Sequence, residues 1–251
     1  MTGGAHAGRI SGGAATLAFV ALIAWGATAL LTQSMHGMTG TMGLGILAFV
    51  ALWTLMMAAM MLPSVAPVAL SYQRVIQSER SLRLTLFVGG YLAVWGCAGV
   101  VAFAVGLVAD AAVQRGAGPK LAAVMFALAA LYQLSPLKER CLRHCRAPVS
   151  LLMRYSSYEG RLRDLAVGIH HGAYCLGCCW ALFTVLVVVG TMSLPVMIVL
   201  GGVVLLEKQW AHGVGLSRFM ALSCLAAAVT VLMEPSLIPG LVPLEAHRME
   251  M

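Results

Sequence analysis

Charge is what this sequence has least of. Only 10% of its 251 residues are Asp, Glu, Lys or Arg, against about 25% in an ordinary soluble domain. That shortfall excludes a water-bathed globule, because a soluble surface must be covered by groups that water solvates. Catalytic signatures are missing too. There is no nucleotide-binding loop, no Ser/His/Asp order and no paired carboxylates within an apolar run, so the common hydrolase and ATPase readings have no support. The segment Met1 to Ala15 holds one Arg and many Gly. It lacks a basic start and a small-residue cleavage site, and no removable signal peptide is expected. Seven cysteines is an odd number, five of them in apolar stretches, which excludes the fully paired disulfide framework of a small secreted protein.

What fills the chain instead is apolar: 61% of residues are hydrophobic, with a mean hydropathy of +0.91. Lipid is the solvent that tolerates such a surface. A spanning helix needs roughly 20 apolar residues, and about seven stretches meet that need: 14–31, 44–66, 84–110, 120–137, 165–190, 194–210 and 217–234. The expected fold class is all-α, a polytopic transmembrane helix bundle forming one integral membrane domain over 1–251. The lipid bilayer is its first partner. Its only sizeable linker is a basic cytoplasmic loop, 138–163.

Orientation follows from Lys and Arg, which are retained on the cytoplasmic side. Segment 71–83 carries Arg74, Arg80 and Arg83. Segment 138–163 carries Lys138, Arg140, Arg143, Arg146, Arg154, Arg161 and Arg163, and the junction before the last stretch has Lys208 and Arg218. The alternate loops hold almost none. All basic loops share one side if the N-terminus is inside and the C-terminus outside. The net charge of +7 therefore has a membrane explanation, and no nucleic-acid partner is expected.

Sulfur carries the chemistry. The run Cys175-Leu-Gly-Cys178-Cys179-Trp180 follows Gly168-Ile-His170-His171-Gly172. Three- and four-residue spacing on a helix puts Cys175, Cys178, Cys179 and His171 on one face, a donor set suited to Cu(I) or, alternatively, Zn(II). The plain alternative is cysteine as a small packing residue. A second run places Met56, Met57, Met60 and Met61 before Pro63. Their i, i+4 pairs form two adjacent stripes of uncharged thioethers, which can ligate Cu(I) without burying an anion or can simply pack. Met35, His36, Met38 and Met42 lie in the expected outer loop, placed to capture copper or, alternatively, in a short segment resting in the headgroups. Cys141 and Cys145, beside His144, lie in the basic loop, where neighbouring cations favour the thiolate needed for metal hand-over or redox work; the plain alternative is a solvated basic helix facing the lipid headgroups. Glu207 and Lys208 sit near a helix end, where snorkelling to the interface is the ordinary explanation.

These pieces together resemble a bacterial family of metal-binding integral membrane proteins, a domain of unknown function. The matching residues are Trp53-x-x-Met56-Met57-x-x-Met60-Met61-Leu62-Pro63, Tyr91-x-x-x-Trp95, and Tyr132-Gln133-x-x-Pro136-x-Lys138-x-x-Cys141-x-x-x-Cys145-Arg146-x-Pro148. They continue with Gly168-x-x-x-Gly172-x-x-Cys175-x-Gly177-Cys178-Cys179-Trp180, Gly190-x-Met192 and Glu207-Lys208. The resemblance covers roughly residues 45–215 and leaves out the loop at 35–42. It implies a multi-pass protein of the bacterial inner membrane. With the sulfur donors, the leading expectation is a Cu(I) transporter or delivery factor, with a copper enzyme or chaperone as protein partner. A membrane thiol oxidoreductase using Cys175/Cys178 or Cys141/Cys145, or an assembly factor for a copper enzyme, are the alternatives.

Overall fold

The computed structural model describes residues 3–33, 40–75, 79–146, 162–189 and 193–234. Among them the chain is all helix, in the order α1 (Gly3–Gln33), α2 (Ile46–Val75), α3 (Arg80–Gln114), α4 (Gly118–Gln133), α5 (Pro136–Cys145), α6 (Arg163–Val189), α7 (Leu194–Gln209) and α8 (Gly213–Met233). Helix is the expected form where apolar runs leave no water to satisfy backbone groups, since every N–H and C=O is then bonded within its own segment. The bundle is apolar outside as well as inside: Leu22, Leu30, Leu47, Leu131, Leu222 and Met233 are all exposed.

Five helices (α1, α2, α3, α6 and α8) are long and apolar enough to cross a membrane, or up to six if the bent pair α4 and α5 counts as one. About seven were expected. The other two candidates exist as helices, but α4 and α7 have only 16 residues each, or roughly 24 Å at 1.5 Å per residue. The reason for the short α4 is local. Ser135 accepts a hydrogen bond from the Lys138 amide and Pro136 opens the next helix, so the chain turns by 65° between α4 and α5. The expected basic loop thus begins as a helix, α5, with one face packed against α6. By contrast, α2 runs through both Pro63 and Pro67 as one helix.

Four helices form a ring. Packing closes through α2–α3, α3–α6, α6–α7 and α7–α2, so α2 and α6 occupy opposite corners. The tightest side is α3–α6. A side chain at Gly90 would meet the Leu165 carbonyl, one at Gly168 the Phe87 carbonyl, and one at Gly172 the Val94 side chain at 3.1 Å. Small residues let these backbones approach closely. On α2–α7, Gly201 faces the side chain of Met60.

Polar contacts pin the two ends of the bundle. At the end holding the α2–α3 and α5–α6 connections, Asp164 accepts Arg83 Nε at 3.1 Å and Nη2 at 3.0 Å, and it accepts the Tyr72 hydroxyl as well. Three helices are tied there. Arg146 donates to the carbonyls of Trp210 and Ala211, joining the end of α5 to the α7–α8 turn. At the far end, Asp110 accepts the Thr41 amide at 3.0 Å and its hydroxyl at 2.7 Å, fixing the turn before α2 against α3.

Candidate functional site

Cys175, Cys178 and Cys179 lie one helical turn apart on α6, where each is at most 1% exposed. The Cys178 and Cys179 thiols both donate to the Cys175 carbonyl, at 3.0 and 2.9 Å. Cys175 Sγ has different company. The Tyr91 hydroxyl of α3 lies 2.9 Å away, and the Lys208 ammonium of α7 donates to it at 2.8 Å. The same ammonium donates to Ser64 Oγ on α2 at 3.1 Å. Ser64 Oγ lies 4.0 Å from Met61 Sδ and donates to the Met61 carbonyl at 2.9 Å. A continuous polar line therefore crosses the ring from the methionine helix to the cysteine helix, through a serine and a lysine.

The two sets of sulfur expected from the sequence thus share one core, with Met61 and Cys175 joined through Ser64 and Lys208. Met56, Met57, Met60 and Met61 are all buried in the same core as Cys175, Cys178 and Cys179. Farther from the Lys208 level, Trp53 and Trp95 each meet Phe183 edge-on, with ring centroids at 6.5 and 5.3 Å. They line an apolar cavity of about 140 Å³ together with Leu176, Trp180 and Thr184.

Helix α5 changes the expected layout. Cys141 and Cys145 were read as a separate hand-over pair in a basic loop. Here Cys145 is buried beside Cys178, and Cys141 packs over Gly177, whose missing side chain leaves room for the thiol. Two short sequence segments thus supply one cluster of thiols, and all seven cysteines are free. His171, one turn before Cys175, stacks on Tyr91 with centroids 6.2 Å apart, and its buried Nδ1 has no hydrogen-bond partner. An orphaned buried nitrogen next to thiols is what a ligand would satisfy.

The outer loop is a different matter. Met35, His36 and Met38 lie outside the described residues. Met42 sits in the turn at the far end with φ of 56° and is 7% exposed, packed into the core. It is not a surface donor.

Among the described residues, no group of three His, Cys, Asp or Glu side chains converges as a metal centre. A closed tetrahedral set of the kind structural zinc requires is therefore not preassembled there. The donor chemistry fits a soft cation of low coordination number better: thioethers on one side, thiols on the other, and His171 Nδ1 alongside.

Sequence reasoning missed the lysine and its neighbours. Glu207 and Lys208 do not snorkel; they are 1% and 7% exposed. Lys138, assigned to a solvated loop, is 1% exposed and pairs with Glu207 at 2.8 Å, with Gln133 and Ser217 completing the network. The available signal was a charged pair closing an apolar run, followed at once by another apolar run. Such a pair is buried whenever the chain folds back over it.

No curated protein and no solved structure shows significant similarity to this chain. A family model does: the PpoB2 model, described as a copper chaperone, matches residues 50–231, which take in α3, α6 and α7 of the ring, α2 from residue 50, and both thiol segments, and the chain belongs to that family.

Proposed function

We propose that this protein is a multi-pass copper chaperone of the bacterial inner membrane, which holds Cu(I) on sulfur inside the bundle and delivers it to a copper enzyme in the same membrane. The observation that carries the reading is the burial of sulfur from α2, α5 and α6 in one core of a chain whose family is a copper chaperone family. Thioethers of Met56, Met57, Met60 and Met61 are neutral and bind Cu(I) without a buried anion. Cys175, Cys178, Cys179, Cys141 and Cys145 are stronger donors once deprotonated, so transfer from thioether to thiolate runs toward tighter binding and releases protons.

In this reading α4 and α7 complete seven crossings, with the basic end cytoplasmic, the N-terminus inside and the C-terminus outside. The thiols then sit toward the cytoplasmic half. Capture by Met35, His36 and Met38 belongs to the opposite side.

The test is metal analysis of detergent-purified protein loaded with Cu(I) under reducing conditions. Wild-type protein is expected to retain copper, and the Cys175→Ser/Cys178→Ser/Cys179→Ser variant to lose most of it. Equal copper in both would overturn the reading. Co-purification of a copper enzyme under copper limitation tests the delivery step separately.

A further inference from the structure

Lys208 stands between the two sets of sulfur. Its Nζ is 2.8 Å from Cys175 Sγ and 3.1 Å from Ser64 Oγ, in a side chain buried from solvent. The other charges at this depth cancel, because Lys138 and Glu207 close on each other at 2.8 Å. Lys208 has no carboxylate partner among the described residues, and its Nζ faces Cys175 Sγ.

A cation beside Cys175 favours its thiolate and so aids any metal that the thiolate binds, whereas its direct repulsion differs from one ion to another. What a fixed positive charge does is grade ions by their charge. Repulsion grows with the product of the charges, so a dication beside Lys208 meets twice the repulsion of a monocation, and the dry surroundings screen neither. Softness cannot make that distinction, because sulfur accepts Ag(I), Cu(I) and Cd(II) alike.

We infer that Lys208 sets the charge selectivity of this site: it admits soft monovalent cations, Cu(I) and Ag(I), and refuses divalent ones such as Cd(II) and Zn(II). The inference rests on the copper reading above and adds which ions the same donors reject.

The experiment is competition between Ag(I) and Cd(II) for the purified full-length protein in detergent, read as bound metal. In Lys208→Met and in Lys208→Gln, the Cd(II)-to-Ag(I) affinity ratio is expected to rise at least tenfold over wild type, equivalent to about 1.4 kcal/mol. Lys208→Arg retains the charge and is expected to keep the wild-type ratio. The glutamine variant preserves a hydrogen-bond donor for Ser64 and Cys175, so it carries the test if the methionine variant fails to fold. A rise below tenfold in a folded neutral variant overturns the inference, as does an equal rise in Lys208→Arg. Wild-type protein that binds Ag(I) and Cu(I) while the ratio stays fixed in the variants sinks only this inference. Wild-type protein that binds neither ion sinks the copper reading and takes this one with it.

Discussion

On α2, four methionine side chains are buried in the apolar core, and Met61 Sδ lies 4.0 Å from Ser64 Oγ. On α6, every thiol of the Cys175–Cys179 run is engaged: Cys178 and Cys179 with a backbone carbonyl, Cys175 with a tyrosine and a lysine. The two helices are also seated differently. Helix α6 meets α3 backbone to backbone over Gly90 and Gly168, whereas α2 meets α7 through the long side chain of Met60 against Gly201. One set of sulfur is thus held in a fixed frame and the other in a soft, adaptable wall. A carrier that must first accept and then retain an ion has use for both, because thioethers on flexible stems adjust cheaply while a rigid thiol cluster holds what it receives.

The strongest way to break this contrast is to remove the buried ion pair that joins α5, which packs on α6, to α7. Glu207→Ala would leave Lys138 as a buried charge without its carboxylate, and breaking such a pair costs about 3–5 kcal/mol. Thermal unfolding in detergent is expected to show a large loss of stability. Glu139→Ala, which removes the exposed pair with Arg143 at 3.9 Å, should change stability by less than about 1 kcal/mol. Similar losses from both would mean that the Lys138–Glu207 pair is not the tie described here.

Next in size is the seat of α6 itself. At Gly90 an added Cβ falls on the Leu165 carbonyl, while at the adjacent Gly89 it meets nothing within 4 Å. Gly90→Ala must push α3 and α6 apart, with an overpacking cost of about 1–3 kcal/mol, and should lower copper retention by displacing the thiols. Gly89→Ala is expected to be neutral or slightly stabilising, since alanine is the better helix former. Equal behaviour of the two variants would show that α6 is held no more rigidly than α2.

Much of this architecture was readable from residue order. The apolar runs marked where helices lie, and the spacing of Cys175, Cys178 and Cys179 put them on one face. What could not be read is which distant segments fold onto that face. Cys141 and Cys145 looked like loop residues because Arg140, Arg143 and Arg146 surround them. Yet α5 is amphipathic: it turns Lys138, Leu142 and Cys145 inward and leaves arginines outside. Lys208 was assigned to the interface because a lysine near a helix end ordinarily escapes to water. Its partners are 144 and 33 residues away in sequence, and no local pattern announces them. The span count differs from the number of full-length apolar helices for a related reason. Windows of hydropathy ignore the Ser135-Pro136 break, and they count α7 as a full crossing although its last turn is built from charged residues buried by tertiary contacts.

Residue for residue, mild substitutions are available where the comparison is sharpest in chemistry. Replacing Met56, Met57, Met60 and Met61 by Leu keeps volume and hydrophobicity, and each such swap ordinarily costs less than about 1.5 kcal/mol. Leucine lacks sulfur, so the variant separates ligand from filler. A folded quadruple variant is expected to keep all its cysteines titratable with thiol reagents while taking up Cu(I) more slowly or less tightly than wild type. If copper uptake is unchanged, the thioethers are packing alone and the thiol cluster acts unaided. If the variant unfolds, the fit of four flexible methionines against Gly201 and the aromatic floor matters more than their sulfur, and the soft wall is in truth as specific as the rigid one.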